Sequence, residues 1–140
     1  MTALYTAEAL STGDGRSGHS RTSDGKLDLD LTPPKELGGS GDGTNPEQLF
    51  AAGYAACFHS ALRLIGKRAG KDVEDSAVGS RVSLVNNDKG GFALEVALEV
   101  SLPNLTKDEA QELAEQAHQV CPYSNATRGN IPVTLTVAED

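Results

Sequence analysis

The sequence predicts one α+β domain over residues 1–140, and three observations carry that prediction. Apolar periodicity switches between two and about 3.6 residues along the chain, in the order three strands, helix, two strands, helix, strand. The stretch Phe92 to Leu102 alternates without a break, with Phe92, Leu94, Val96, Leu98, Val100 and Leu102 on one face. Thr44–Glu47 and Thr106–Glu109 each have capping-box spacing ahead of a helical pattern. The length suits one domain with a real core, and no repeat or linker divides it.

The first strand is expected over Leu4–Leu10, followed by the turn Thr12-Gly13-Asp14-Gly15 and a polar segment from Arg16 to Thr22. Ser23-Asp24-Gly25 is a second turn signal. Lys26–Leu31 then alternates, with Leu27, Leu29 and Leu31 on one face, until Pro33-Pro34 stops it. Leu37–Thr44 is a glycine-dominated connection without the Gly-Lys-Ser/Thr ending of a phosphate loop. Thr44-Asn45-Pro46-Glu47 opens a helix that runs to about Ala69, with Gly70 ending it. The uncharged run Leu49–Phe58 makes the first half of that helix apolar on every side, so it should be buried all round. A chain this short has little material to surround such a helix, which points to dimerisation.

Ser76–Asn86 and Phe92–Leu102 are expected to pair through the hairpin turn Asn87–Gly91. In the second helix Ala110, Leu113, Ala114, Ala117 and Cys121 share one face, and Pro122 breaks the helix. Ile131–Val137 alternates again as the last strand.

Composition excludes several classes. A formal net charge of -8 lacks the basic footprint that nucleic acid or an anionic membrane surface requires. The first residues show no basic and apolar leader, and Leu49–Phe58 falls short of the roughly 20 residues that span a bilayer. The expectation is a soluble, cytoplasmic protein without nucleic-acid or membrane partners.

The two cysteines, Cys57 and Cys121, fall on the apolar sides of the two helices. Such faces pack together in a small domain, which would bring the sulfurs toward each other. In a reducing compartment the pair suits redox chemistry better than a permanent cross-link. A reactive thiol needs a cation or a helix N-terminus nearby, and Cys57 lies too deep in its helix for the latter. The alternatives are inert buried thiols, a zinc site adding His59 and His118, or a cysteine hydrolase pairing a thiol with His118. Residues two apart on a helix diverge by about 200°, so Cys57 and His59 do not converge and no metal site is expected.

The string from Gly43 to Phe58, GTNPEQLFAAGYAACF, resembles the organic hydroperoxide resistance (Ohr) branch of the Ohr/OsmC family. So does VCPYSNATRGN, from Val120 to Asn130, and the likeness runs from Leu4-Tyr5-Thr6-Ala7 to the last strand. The resemblance implies antiparallel-rich sheets wrapped around central helices in an intertwined homodimer. It implies a thiol-dependent peroxidase that reduces organic hydroperoxides, with Cys57 as the peroxidatic and Cys121 as the resolving cysteine. It further implies Glu47 as the active-site glutamate and Arg16 as the arginine stabilising the thiolate, with Arg21 as the other candidate. No bound cofactor is implied; dihydrolipoamide or a lipoylated protein would be the reductant. Glu47 and Cys57 lie about 15 Å apart along a straight helix, so Glu47, with Arg16, is expected to reach the Cys57 of a partner subunit.

Overall fold

The computed structural model describes residues 1–139 and divides into two compact units, Met1–Leu49 and the chain from Phe50 onward.

The first unit is a three-stranded antiparallel sheet in the order β1 (Ala9–Thr12), β2 (His19–Thr22), β3 (Asp28–Asp30). The strand expected over Leu4–Leu10 begins only at Ala9. Leu4 and Tyr5 are among the most exposed side chains, so nothing in the chain itself gives that segment a surface to pair with. The segment from Arg16 to Thr22 splits into a 3-10 turn, Gly15–Ser17, and strand β2. At Gly18 a Cβ would come within 2.1 Å of the Thr12 carbonyl oxygen, so this turn closes only on a glycine. After Pro33-Pro34 the glycine-rich connection is pinned along β3: the Thr44 N–H donates to the Asp30 carbonyl and Thr32 N–H to the Thr44 carbonyl, both at 3.0 Å.

This unit buries almost nothing. Leu31 and Asn45 are the only buried residues of its 49, while Leu10 and Leu27 stand open to solvent. A small sheet with an uncovered apolar face is marginal in water.

His19 ties β2 to β3 from the side. Its Nδ1 lies 2.7 Å from Asp30 Oδ1, its Nε2 contacts Asp28, and Arg21 Nε lies 3.5 Å from the second Asp28 oxygen. The Asp30 and Asp28 carboxylates together raise the His19 pKa above its ordinary value. The stabilisation is therefore complete below the unfolded pKa, near 6.5, and is lost as pH rises through the higher folded value. Amide protection of β2 and β3 should fall over that upper range, and His19→Gln should remove the pH dependence.

The second unit holds helix α1, shared at its first turn with the first unit, and an α+β layer. Helix α1 spans Pro46–Arg68. Its cap is Asn45, whose Oδ1 accepts from the Gln48 N–H at 2.8 Å. The capping box expected from Thr44 and Glu47 does not form, because the helix starts one residue later with Asn45 as its cap, and the Glu47 carboxylate pairs with Arg16. Strands β4 (Ala77–Asn86) and β5 (Phe92–Ser101) pair in full antiparallel register, from Ala77 opposite Ser101 to Asn86 opposite Phe92. β6 (Val133–Val137) adds to β5 in parallel, since the helical crossover between them returns the chain to the same end.

Val96, Leu98, Val100 and Leu102 point into the core as the alternation requires, but Phe92 is exposed at the hairpin end. Helix α2 (Lys107–Val120) starts with the expected capping box: Glu109 N–H donates to Thr106 Oγ1 at 3.2 Å, and Thr106 N–H to Glu109 Oε1 at 3.1 Å. After Cys121 the chain does not leave helical structure for good. Pro122 occupies the first turn of a short helix, α3 (Pro122–Thr127), which the sequence reading did not anticipate.

Tyr54, Phe58, Ala61 and Leu62 of α1 join Val96, Leu98 and Val100 of β5 and Ala110, Leu113, Ala114 and Ala117 of α2 in one core. Burial of α1 is thus confined to one face. Ala52, Ala56, Ser60 and Leu64, four residues apart, form an exposed stripe on it, so a single chain does not bury the helix all round. By length and composition alone, α1 is long and apolar enough to cross a membrane, which the shorter run Leu49–Phe58 did not suggest.

Candidate active site

Cys57 sits in the middle of α1, one residue before the fully buried Phe58 and three after the fully buried Tyr54. Those two aromatic side chains lock the rotation of the helix, leaving Cys57 half-buried at the edge of the core. Cys121 is fully buried at the corner where α2 gives way to α3. Its N–H donates to the Ala117 carbonyl at 2.9 Å, and its own carbonyl accepts from Asn125 N–H at 3.0 Å. The corner residue is therefore held by both helices at once.

Both thiols are free; Cys57 packs against the core cluster that contains Cys121, near enough for Cys121 to act on its pKa. Burial pushes the Cys57 thiol above its ordinary pKa. The Tyr123 backbone amide pulls it back toward the thiolate, and the adjacent Cys121 thiol raises it again. None of these three influences is a cation, the kind of neighbour that would lower a thiol's pKa.

In the first unit, Arg16 and Glu47 form a two-pronged ion pair. Nη1 donates to Oε2 at 2.9 Å and Nη2 to Oε1 at 2.7 Å. The Arg16 contact holds the Glu47 carboxyl below the usual carboxylate range, and Glu47 in turn raises the guanidinium. Locally, the sequence builds this pair from a tight turn and a helix start. Gly15, at a φ of +65°, turns the chain just before Arg16, and Glu47 lies in the first turn of α1. The other candidate, Arg21, faces Asp28 across the sheet. Glu47 is thus the partner of Arg16, and the fork geometry is one that arginine makes and lysine does not.

An aromatic group lies beside the thiols. The Tyr123 ring stands 5.9 Å from Phe50 and 5.6 Å from Tyr54, and Phe50 lies 6.1 Å from Tyr54, centroid to centroid. Gly53 makes room for it: a Cβ there would meet the Tyr123 hydroxyl at 2.7 Å. Phe50, Gly53 and Cys57 fall on neighbouring positions of α1, so Phe50 and Tyr123 form an apolar wall a turn or two from the sulfur.

The two histidines of the metal alternative are occupied elsewhere. His59 Nε2 meets Ser76 Oγ at 2.9 Å, and His118 Nδ1 meets Ser124 Oγ at 2.8 Å. Burial, then a nearby arginine, lowers the pKa of each: Arg63 for His59 and Arg128 for His118. The sequence reading missed the Tyr123 amide, the Phe50–Tyr123 wall and the hydroxyls of Tyr54, Ser124 and Thr127. Only Pro122, in its role as a helix-starting residue, hinted that this segment is structured.

Comparisons with known proteins bear on the family and the fold. Residues 39–136 match the family model described as OsmC-like protein. The organic hydroperoxide resistance protein of Xanthomonas axonopodis pv. citri is 53% identical over 141 residues, covering 96% of this chain and 95% of its own. Organic hydroperoxide resistance protein OhrB of Bacillus subtilis is 47% identical, over 95% of this chain and 97% of its own. The crystal structure of an organic hydroperoxide resistance protein from Elizabethkingia anophelis superposes with a TM-score of 0.94 at 51% identity, covering 100% of both chains.

Proposed function

Because the chain belongs to the OsmC-like family, in its organic hydroperoxide resistance branch, we propose that it reduces organic hydroperoxides to alcohols with Cys57 as the attacking thiolate. The observation that carries this reading is the pairing of a half-buried thiol with a buried one at a helix corner.

The Cys57 thiolate attacks the distal oxygen of the hydroperoxide and the O–O bond breaks. The departing alkoxide takes a proton to become the alcohol, and Cys57 is left as a sulfenic acid. The Cys121 thiol then displaces hydroxide from that sulfur. One water leaves, and a Cys57–Cys121 disulfide forms. A dithiol of the dihydrolipoyl type, free or on a lipoylated protein, reduces this disulfide by exchange and leaves as its own cyclic disulfide. The organic group of the substrate meets Phe50 and Tyr123, a contact that hydrogen peroxide lacks.

The missing cation comes from a second copy of the chain. Glu47 and Cys57 are ten residues apart on the unbroken helix α1, about 15 Å along its axis. In an intertwined homodimer, the Arg16–Glu47 pair of one protomer serves the Cys57 of its partner. The open stripe Ala52, Ala56, Ser60 and Leu64 on α1 and the uncovered first sheet are the surfaces such a partner would close. Small side chains there allow close helix approach, and burying the exposed leucines would yield roughly 25 cal/mol per Å².

The reading is tested by mixing reduced protein with an alkyl hydroperoxide and dihydrolipoamide. One alcohol should form per dihydrolipoamide oxidised, at a sedimentation mass of two chains. Absence of hydroperoxide consumption would discard the peroxidase, and a monomer with full activity would discard the shared site.

A further inference from the structure

A chain of buried hydroxyls and one imidazole lies behind the Cys121 corner, outside the steps just described. The Tyr54 hydroxyl, on a side chain with no solvent exposure, lies 2.8 Å from Ser124 Oγ and 3.0 Å from Thr127 Oγ1. Ser124 Oγ reaches on to His118 Nδ1 at 2.8 Å, and Thr127 Oγ1 donates to the Ser124 carbonyl at 3.3 Å. Ser124 and Thr127 are themselves buried. The four side chains come from all three helices: Tyr54 from α1, His118 from α2, Ser124 and Thr127 from α3.

Cys121 lies three residues after His118 and three before Ser124, at the bend between them. Arg128 closes the outer side of the same corner by donating to the His118 carbonyl at 2.8 Å. Core packing needs only apolar atoms at these positions. A buried polar chain is costly unless every member is bonded, and once bonded it specifies one geometry. That geometry is the angle between α2 and α3, and hence the position of the Cys121 sulfur relative to α1.

We infer that Tyr54, Ser124, Thr127 and His118 form a latch that positions Cys121 for disulfide formation with Cys57. These are positioning residues: their hydroxyls and the imidazole bond to one another. The inference rests on the thiol-peroxidase reading for its role in turnover, but the latch also acts on the disulfide equilibrium itself. Holding the two thiols together raises their effective concentration, which favours the oxidised pair. Loosening the latch therefore has two consequences. Cys57 sulfenic acid survives longer and is overoxidised by a second hydroperoxide, and the Cys57–Cys121 couple becomes easier to reduce.

The variants are Tyr54→Phe and Thr127→Val, which remove a hydroxyl while keeping the shape, with Thr127→Ser keeping the hydroxyl. In an excess of hydroperoxide, mass spectrometry reads the ratio of disulfide to Cys57 sulfinic acid. That ratio should fall about tenfold in Tyr54→Phe and Thr127→Val, the order of one lost hydrogen bond, and recover in Thr127→Ser. In dithiol redox buffers the disulfide fraction at a given poise should fall in the same two variants and not in the third. A purely structural role would lower the melting temperature and leave both readings unmoved. Wild-type values in Tyr54→Phe and Thr127→Val would overturn the latch. If the wild-type protein consumed no hydroperoxide, the peroxidase reading would fall, and the redox-buffer measurement would still decide the latch alone.

Discussion

Cys57→Ser is expected to abolish hydroperoxide reduction, with a loss of at least about three orders of magnitude, within the range that deleting a nucleophile costs a covalent catalyst. A serine hydroxyl fills the same space at the edge of the core but is neither ionised near neutral pH nor oxidisable to a sulfenic acid. The fold is expected to survive, because Tyr54 and Phe58 anchor α1 on either side of the substitution. Cys121→Ser gives a different pattern. It should consume one hydroperoxide per subunit, accumulate Cys57 sulfenic and sulfinic acid, and then stop. Single-turnover consumption followed by mass spectrometry of the Cys57 peptide distinguishes the two. Full turnover in Cys57→Ser would remove this thiol from the mechanism.

Arg16→Ala is the second large effect. Burial raises the Cys57 pKa in the isolated chain, so without the guanidinium the thiol is less ionised than an ordinary cysteine at neutral pH. The pH profile of Cys57 alkylation should therefore shift upward in Arg16→Ala, because loss of a cation disfavours the thiolate. Hydroperoxide turnover near neutral pH should fall by about one hundredfold, within the range that removing a nearby opposite charge costs the ionised form. Arg21→Ala should leave the profile unmoved, since Arg21 pairs with Asp28.

Mixed dimers then test the shared site. On the proposed dimer, Arg16→Ala and Cys57→Ser should each fall short of the wild-type rate. Unfolding and refolding the two together should then form heterodimers in which one site joins an intact Cys57 to an intact Arg16 from the other chain. Activity should reappear in the mixture. A mixture no more active than the sum of its parts would place Arg16 and Cys57 on the same chain.

Much of the second unit was legible in the sequence because its signals are local. The alternation in β5, the capping box of α2 and the hairpin turn Asn87–Gly91 each depend on residues a few positions apart, and each appears in the structure. The first unit was read less well. Leu4–Leu10 looks like a strand, but pairing reaches back only to Glu8, whose carbonyl accepts from the Ser23 N–H at 2.9 Å, and Leu4 and Tyr5 stay exposed. Thr44 and Glu47 have the spacing of a capping box, but Asn45 caps the helix instead, and the Glu47 carboxylate goes to a guanidinium 31 residues earlier. Spacing cannot register a competitor so distant in sequence.

The sequence by itself determined the element types, the two cysteines on apolar helix faces, and the residues whose pattern marks the family. Covalent order and periodicity are sufficient for these. Tertiary structure alone decided that Glu47 pairs with Arg16 and not Arg21, and that Pro122 starts a helix as well as ending one. It also joined Tyr54 of α1, His118 of α2 and Ser124 and Thr127 of α3 in one hydrogen-bonded chain behind the Cys121 corner. A serine, a threonine and a tyrosine carry no signal of their own at such positions. Their meaning arises only when burial removes water and leaves them each other as partners.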